Sequence, residues 1–403
     1  MMSDEPPPCP RPSVAERVHA ALGLDSSVAW VGAAMFVMGL GEELWRRFVG
    51  KYLQVLGAPI AAIGAFGTVS ALLDGIAQYP GGWLADRHGR RRALRAFVLV
   101  AGAGYVIAAL AWSWPIVFLA LPFIMAWSSL ASPAMFAVVG DALPRGKRAA
   151  GFTVQAILKR LPVLIAPALG GALITAHGTA TGIRIGLAAS VLLAAVASVL
   201  VARVGAAAHG AATVTSVAGV WQSLPRALRA VLAADILIRT CEAMVDVLIV
   251  VYVTDQLGCS AATYGVLVAI QVATSIAVYV PAARGADRLG RRPFVIATCV
   301  CFALFPVMIA MASGARSLVL AFVIGGLREI GEPARKAMIV DFAAPHLRAR
   351  SVGLYYLIRC LAIAPAGAIG GCLWRLAPQV PFFVAGATGI AGVVQFALTV
   401  REP

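Results

Sequence analysis

The sequence predicts an all-α integral membrane protein of twelve transmembrane helices, arranged as two pseudo-symmetric six-helix bundles. Three observations predict it. The 403 residues are 61% hydrophobic and only 13% charged, with a mean hydropathy of +0.88. So few polar residues cannot cover a soluble surface. Apolar runs of about 20 residues, the length that crosses a bilayer, recur from end to end. A series of matched residues repeats at an offset of about 200.

The elements follow in order. Residues 1–25 form a Pro-rich cytoplasmic tail holding Asp4, Glu5, Arg11 and Arg17. They have no early apolar core, so a cleaved signal peptide is not expected. The first apolar segment, from Val28, serves as an uncleaved anchor. Spans are expected at 28–49, 57–80, 93–113, 116–142, 150–176 and 183–203, then at 227–253, 262–284, 294–313, 317–342, 350–375 and 380–400. Between the sets, residues 204–226 are rich in Gly, Ala, Ser and Thr and read as a cytoplasmic linker. The bundles are therefore 26–203 and 227–403.

Lys and Arg outnumber Asp and Glu by 33 to 18. Alternate short loops hold much of this excess. Arg87, Arg90, Arg91, Arg92 and Arg95 follow span 2; Arg145, Lys147 and Arg148 follow span 4. Arg288, Arg291 and Arg292 follow span 8, and Arg348 and Arg350 follow span 10. The opposite loops hold scattered cations such as Lys51, Arg184 and Arg316. This is a positive-inside distribution, not a nucleic-acid surface, and it puts both termini in the cytoplasm. The seven cysteines have no zinc or redox spacing and read as small buried hydrophobes. No metal or cofactor is expected.

The repeat pairs Tyr52 with Tyr252, Tyr79 with Tyr279, Pro133 with Pro333, Asp141 with Asp341, and Arg148 with Arg348. Lys159 pairs with Arg359, and Gly170-Gly171 with Gly370-Gly371. A charged turn repeats one residue later: Asp86, Gly89 and Arg90 against Asp287, Gly290 and Arg291. Six-span parallel repeats place a substrate site between the halves, near mid-membrane.

The turn itself, Gly82-Trp-Leu-Ala-Asp86-Arg87-His-Gly89-Arg90-Arg91-Arg92, resembles the loop 2–3 signature of the major facilitator superfamily. In the second copy Ala283 replaces the first glycine. Gly82 admits a neighbouring helix and Gly89 permits a tight turn. Asp86 stands at a helix end, where a carboxylate suits a neighbouring helix N-terminus. The resemblance implies that Asp86, Arg90 and Asp141 latch the cytoplasmic side, with Arg87 and Arg91 in the same motif. Asp287, Gly290, Arg291 and Asp341 form the equivalent set. The plainer alternative is that the arginines only fix topology.

Charges inside spans are costly and must face a cavity or a partner. Span 7 carries Asp235, Arg239, Glu242 and Asp246 on one face; span 10 carries Arg328, Glu329, Glu332, Arg335 and Lys336. Span 1 carries Glu42 with Arg46 and Glu43 with Arg47. In the resembling family helices 1, 4, 7 and 10 line the central cavity. These charges are either the substrate and proton pathway or pairs neutralised along one helix. Glu42 aligns with Glu242 but Arg46 with Asp246, so Arg46–Asp246 is an expected external gate pair. Asp74 in span 2 and Arg359 in span 11 are an expected bridge between halves. Arg160 in span 5 meets either an anionic substrate or Gln271 and backbone carbonyls, the second being preferred.

No phosphate loop, metal cluster or nucleophile triad appears, which argues against an enzyme. The expectation is a monomeric inner-membrane secondary transporter of a small molecule, working by alternating access and coupled to protons. Export is favoured over uptake. Ala166-Pro167-Ala-Leu-Gly170-Gly171 resembles part of an antiporter signature, while span 4 lacks the arginine usual in efflux families. The alternatives are a proton-coupled uptake symporter for a metabolite or organic anion, and a sensor or assembly partner that moves nothing.

Overall fold

The computed structural model describes residues 26–132, 134–135, 148–204, 225–342 and 348–400. The expected linker at 204–226 lies almost wholly outside them. Among the described residues the regular elements are all helices. They are α1 (Ser26–Arg46, extended by Val49–Val55), α2 (Ile60–His88), α3 (Arg90–Ala109), α4 (Trp114–Met125, running into a π turn at Ala126–Leu130), α5 (Arg148–His177) and α6 (Thr179–Ala202). The second set is α7 (Arg226–Val251, with a π turn at Tyr252–Gln256), α8 (Ala261–Leu289), α9 (Arg292–Ala310), α10 (Ala315–Leu327 and Glu332–Phe342), α11 (Arg348–Ile363 and Ala366–Leu373) and α12 (Val380–Thr399). Helix therefore occurs in each of the twelve expected spans.

Besides the break at 47–48 near the end of span 1, two expected continuous spans are interrupted, and a proline stands at each of these two breaks. Pro333 has no N–H to bond the carbonyl four residues back and is tolerated in a first helical turn; α10 breaks after Leu327 and restarts at Glu332 with the proline in its first turn. Pro365 likewise lacks the N–H, and α11 restarts after it at Ala366.

The helix neighbours are related by the repeat. α1 packs on α5 and α6, and α7 on α11 and α12; α3 packs on α6, and α9 on α12. Between the halves, α5 packs on α8 and α2 on α11. The 200-residue offset extends to single contacts. The Tyr52 hydroxyl donates to the Ala108 carbonyl at 2.8 Å, and the Tyr252 hydroxyl to the Ala310 carbonyl at 3.1 Å. A side chain at Gly170 would collide with the carbonyl of Leu44, and one at Gly370 with that of Met244. These glycines let α5 and α11 lie directly on α1 and α7.

Eight described helices are long and apolar enough, taken alone, to cross a membrane: α2, α3, α5, α6, α8, α9, α11 and α12. The remaining four are α1, α4, α7 and α10. Three of these carry the charged stripes of spans 1, 7 and 10, and α4 is a shorter apolar helix. These helices need protein around them, since a charge facing hydrocarbon is expensive.

Candidate functional site

The site is built where α7 and α10 meet the first half of the chain. One end is shut. The Val49–Val55 extension of α1 lies on α7 so closely that a side chain at Gly50 would collide with the Val247 carbonyl. Beyond this contact Lys51 forms an ion pair with Asp255, and Gln54 Nε2 donates to Asp255 at 2.8 Å. Burial works to raise the Asp255 carboxyl, but the hydrogen bonds from Lys51 and Gln54 outweigh it and hold it below its ordinary value.

The expected gate pair Arg46–Asp246 is not formed at this shut end. Arg46 Nε donates to Glu43 at 2.8 Å and lies 3.7 Å from Glu42. Arg47 Nε also donates to Glu43, at 3.2 Å. The carboxylates one helical turn back are within easier reach than α7. Among the described residues Asp246 makes no hydrogen bond or ion pair. Lys51 and Asp255, one turn or more further along their helices, join the halves instead.

Beneath the shut end lies a cavity of about 280 Å³. Its charged lining is Arg47 from α1, Arg160 from α5, Glu242 and Asp246 from α7, and Arg328 and Glu329 from α10. Tyr264, Gln271 and Ser275 of α8 and Phe302, Phe305 and Phe322 complete much of the wall. Helices 1, 7 and 10 thus contribute as expected, while α5, α8 and α9 take the place expected for α4.

A chain of alternating charge runs from this cavity into the second half. Arg328 Nη1 donates to Glu242 at 3.2 Å, and Arg239 Nη1 to the same carboxylate at 2.9 Å. Arg239 Nη2 donates to Glu332 at 2.8 Å. Arg335 grips Glu332 through Nε at 2.7 Å and Nη2 at 2.8 Å, and Asp235 through Nη1 at 2.6 Å. Asp235 also accepts from the Tyr355 hydroxyl at 2.9 Å and Arg359 Nη1 at 3.2 Å. The inner members are nearly sealed: Asp235 is 4% exposed, Arg335 6% and Glu332 7%. Rings support the outer ones. The Arg328 guanidinium lies 4.8 Å from Phe302 and 4.6 Å from Phe305, and that of Arg239 lies 4.8 Å from Phe302. Buried ions held in both directions, with aromatic faces beside them, are tolerated where isolated ones are not.

Two further expected partners change. Asp74 accepts from the Ser129 hydroxyl at 2.7 Å, while Arg359 is turned to Asp235. The expected Asp74–Arg359 bridge is absent because Asp235 offers Arg359 a buried carboxylate within its own half. Arg160 finds neither Gln271 nor an empty anion site. Its Nη2 donates to Glu329 at 2.8 Å, across the two halves, and its guanidinium lies 4.6 Å from Tyr279.

In the charged turns, Gly89 and Gly290 have φ of 84° and 88°, a left-handed conformation that favours glycine. Arg90 and Arg291 stand directly beside these turns, Arg91 is exposed, and the Arg87 guanidinium lies 5.1 Å from Trp83. The motif residues Gly82, Asp86, Asp141, Asp287 and Asp341 lie outside the described residues or side chains. Sequence reasoning missed Tyr355, Asp255 and Gln54, and took Lys51 for a scattered loop cation. The positions 200 residues away are Gln155, Val55, Thr254 and Val251, so the repeat gave no signal. Among the described residues no group of three or more His, Cys, Asp or Glu gathers as a metal centre.

Known proteins resemble this chain throughout. A family profile described as Major Facilitator Superfamily matches residues 20–237 and 231–403. The quinolone resistance protein NorA of Staphylococcus aureus is 26% identical over 154 residues, 38% of this chain. That match spans only 39% of the relative's own length. A crystal structure of the nucleoside transporter NupG superposes with a TM-score of 0.75 at 12% identity, covering 93% of this chain and 99% of that one. A POT family transporter in complex with a thioalcohol-conjugated peptide gives 0.77 at 15%, covering 93% and 96%. At these identities the two structures speak for the fold alone.

Proposed function

The chain belongs to the major facilitator superfamily, and on that premise we propose that it is a secondary transporter that exports a small molecule across the inner membrane by alternating access, coupled to protons. It acts as a monomer, as a carrier rather than an enzyme. The Arg-rich turns at Gly89 and Gly290 and both termini face the cytoplasm, so the Lys51–Asp255 end faces outside. The observation that carries the reading is the charged cavity between the halves, shut at that outer end by α1 on α7. Such a cavity is what one state of an alternating-access cycle requires. The partial likeness to a protein named for quinolone resistance supports export.

A coupled proton needs a carboxylate inside the spans; Glu242 and Glu332 are each held by two guanidiniums. Asp74 and Glu329 are better placed. Asp74 accepts from a neutral hydroxyl, so a proton there strands no bonded cation. Glu329 bridges the halves through Arg160, so a proton there alters the contact between them. The reading is tested in two steps. A thermal-shift screen on purified protein selects a ligand, since a specific binder stabilises the folded state. Proteoliposomes with an imposed proton gradient then report flux of that ligand. Antiport predicts proton movement opposite to the ligand, lost in Asp74→Asn or Glu329→Gln. Movement of both in the same direction would overturn export in favour of uptake. A bound ligand that never crosses would overturn transport itself.

A further inference from the structure

Two hydroxyls of the first half cap helices of the second. The second segment of α11 begins at Ala366, after the break at Pro365. Its hydrogen-bond ladder starts with the Ile369 N–H on the Pro365 carbonyl, so the amides before Ile369 lack an acceptor within the segment. The Ala368 N–H donates instead to Thr68 Oγ1 of α2, at 2.9 Å. α8 begins at Ala261, and its ladder starts with the Tyr264 N–H on the Ser260 carbonyl. The Ser260 hydroxyl takes the Thr263 N–H at 3.1 Å. The Ala262 N–H donates to Thr175 Oγ1 of α5, at 3.2 Å. That hydroxyl in turn donates to the Gly171 carbonyl at 2.9 Å, so its proton stays within α5 and its lone pairs serve α8.

Both contacts lie in the outer part of the interface between the halves. Thr68 is near the outer start of α2, and Thr175 stands in the last turn of α5. Thr175 and Ala261 line a cavity of about 230 Å³ together with Lys51 of the shut end. The backbones touch around each contact. A side chain at Gly367 would collide with the Gly64 carbonyl, and one at Gly171 with that of Ala261. Close approach alone is not directional; the hydroxyl bonds are, and they exist only while the halves are together. An amide that loses its acceptor in a closed interface keeps the penalty of desolvation, whereas in an open one it bonds to water. The positions 200 residues on are Val268 and Arg375, so neither hydroxyl belongs to the repeat.

We infer that Thr68 and Thr175 are positioning residues that latch the outer end shut, each by capping a helix of the opposite half. This role rests on the transporter reading, which supplies the opening of that end. The Thr68 bond is partly buried and the Thr175 bond exposed. Water replaces the second more easily, so Thr68 carries the larger share.

Hydrogen exchange of the purified full chain in nanodiscs, read by mass spectrometry, tests the latch, because exchange follows the population of opened forms. Thr68→Val keeps the shape of the side chain and removes the acceptor. It is expected to speed exchange about fivefold, the factor of one ordinary hydrogen bond, around Ala368, around Ala262 and in the Val49–Val55 extension of α1. Thr175→Val is expected to speed the same regions by less, and Thr68→Ser to match the wild type. A purely local cap would speed only the amides beside it. Exchange that rises only next to the substituted residue, or not at all, would overturn the inference, as would a Thr68→Ser protein that exchanges like Thr68→Val. If one valine variant does not fold, the other decides. The two readings fail separately. Wild-type flux with exchange altered only locally contradicts the latch and not transport. Linked exchange in all these regions, in a protein that moves nothing, contradicts transport and not the latch.

Discussion

Asp235→Ala is expected to destabilise the second half of the protein by about 3–5 kcal/mol, the usual cost of breaking a buried ion pair by removing one partner. Asp235 is buried and is the common acceptor for Arg335, Tyr355 and Arg359. Without it, Arg335 keeps only Glu332, and Arg359 loses its carboxylate at membrane depth. Asp235→Asn preserves shape and part of the hydrogen bonding, so a smaller loss is expected. The double variant Asp235→Leu with Arg335→Leu removes one charge of each sign and should recover part of the deficit, because apolar replacement of a whole buried pair is often near neutral. Thermal unfolding in detergent and the yield of monodisperse protein measure all three. An Asp235→Ala protein that melts with the wild type would show that the charge chain does not hold the fold.

Reversal of either Arg160 or Glu329 is expected to slow flux tenfold or more, about 1.4 kcal/mol in barrier height, without a matching loss of folded protein. The pair joins α5 to α10 beside the cavity, and its side chains are 27% and 28% exposed, so neither reversal seals an unpaired charge in the core. Like charges facing across the halves would oppose one state of the cycle. The swap Arg160→Glu with Glu329→Arg restores attraction and should recover part of the rate in proteoliposomes. Flux that survives either reversal, or a correctly folded swap with no recovery, would remove this pair from the mechanism.

The comparison of sequence with structure is uneven in an instructive way. Hydropathy and the repeat were enough for the fold because both are properties of whole helices. The residues that the repeat pairs also make matching contacts: the Tyr52 and Tyr252 hydrogen bonds and the close approaches at Gly170 and Gly370. The charged faces of α7 and α10 were also legible, since spacings of three and four put Asp235, Arg239, Glu242 and Asp246 on one side. Their partners were not. A guanidinium on a long stem chooses among carboxylates from several helices, and sequence spacing shows only those on its own. Arg46 therefore met Glu43 rather than Asp246, and Arg359 met Asp235 rather than Asp74. The charge chain also breaks the pseudo-symmetry. The positions matching Asp235, Arg328, Glu329 and Arg335 are Met35, Ser128, Ser129 and Met135, so no pairing could be copied from one half to the other.

The central claim is that the contact of α1 with α7 at the Lys51–Asp255 end opens and closes during transport. The double variant Lys51→Cys with Asp255→Cys, cross-linked by mild oxidation, tests it most directly. Each single variant under the same oxidant controls for the native cysteines. Flux should fall to background as the cross-link forms and return on reduction. Flux that continues at the wild-type rate through a fully cross-linked protein would contradict the claim.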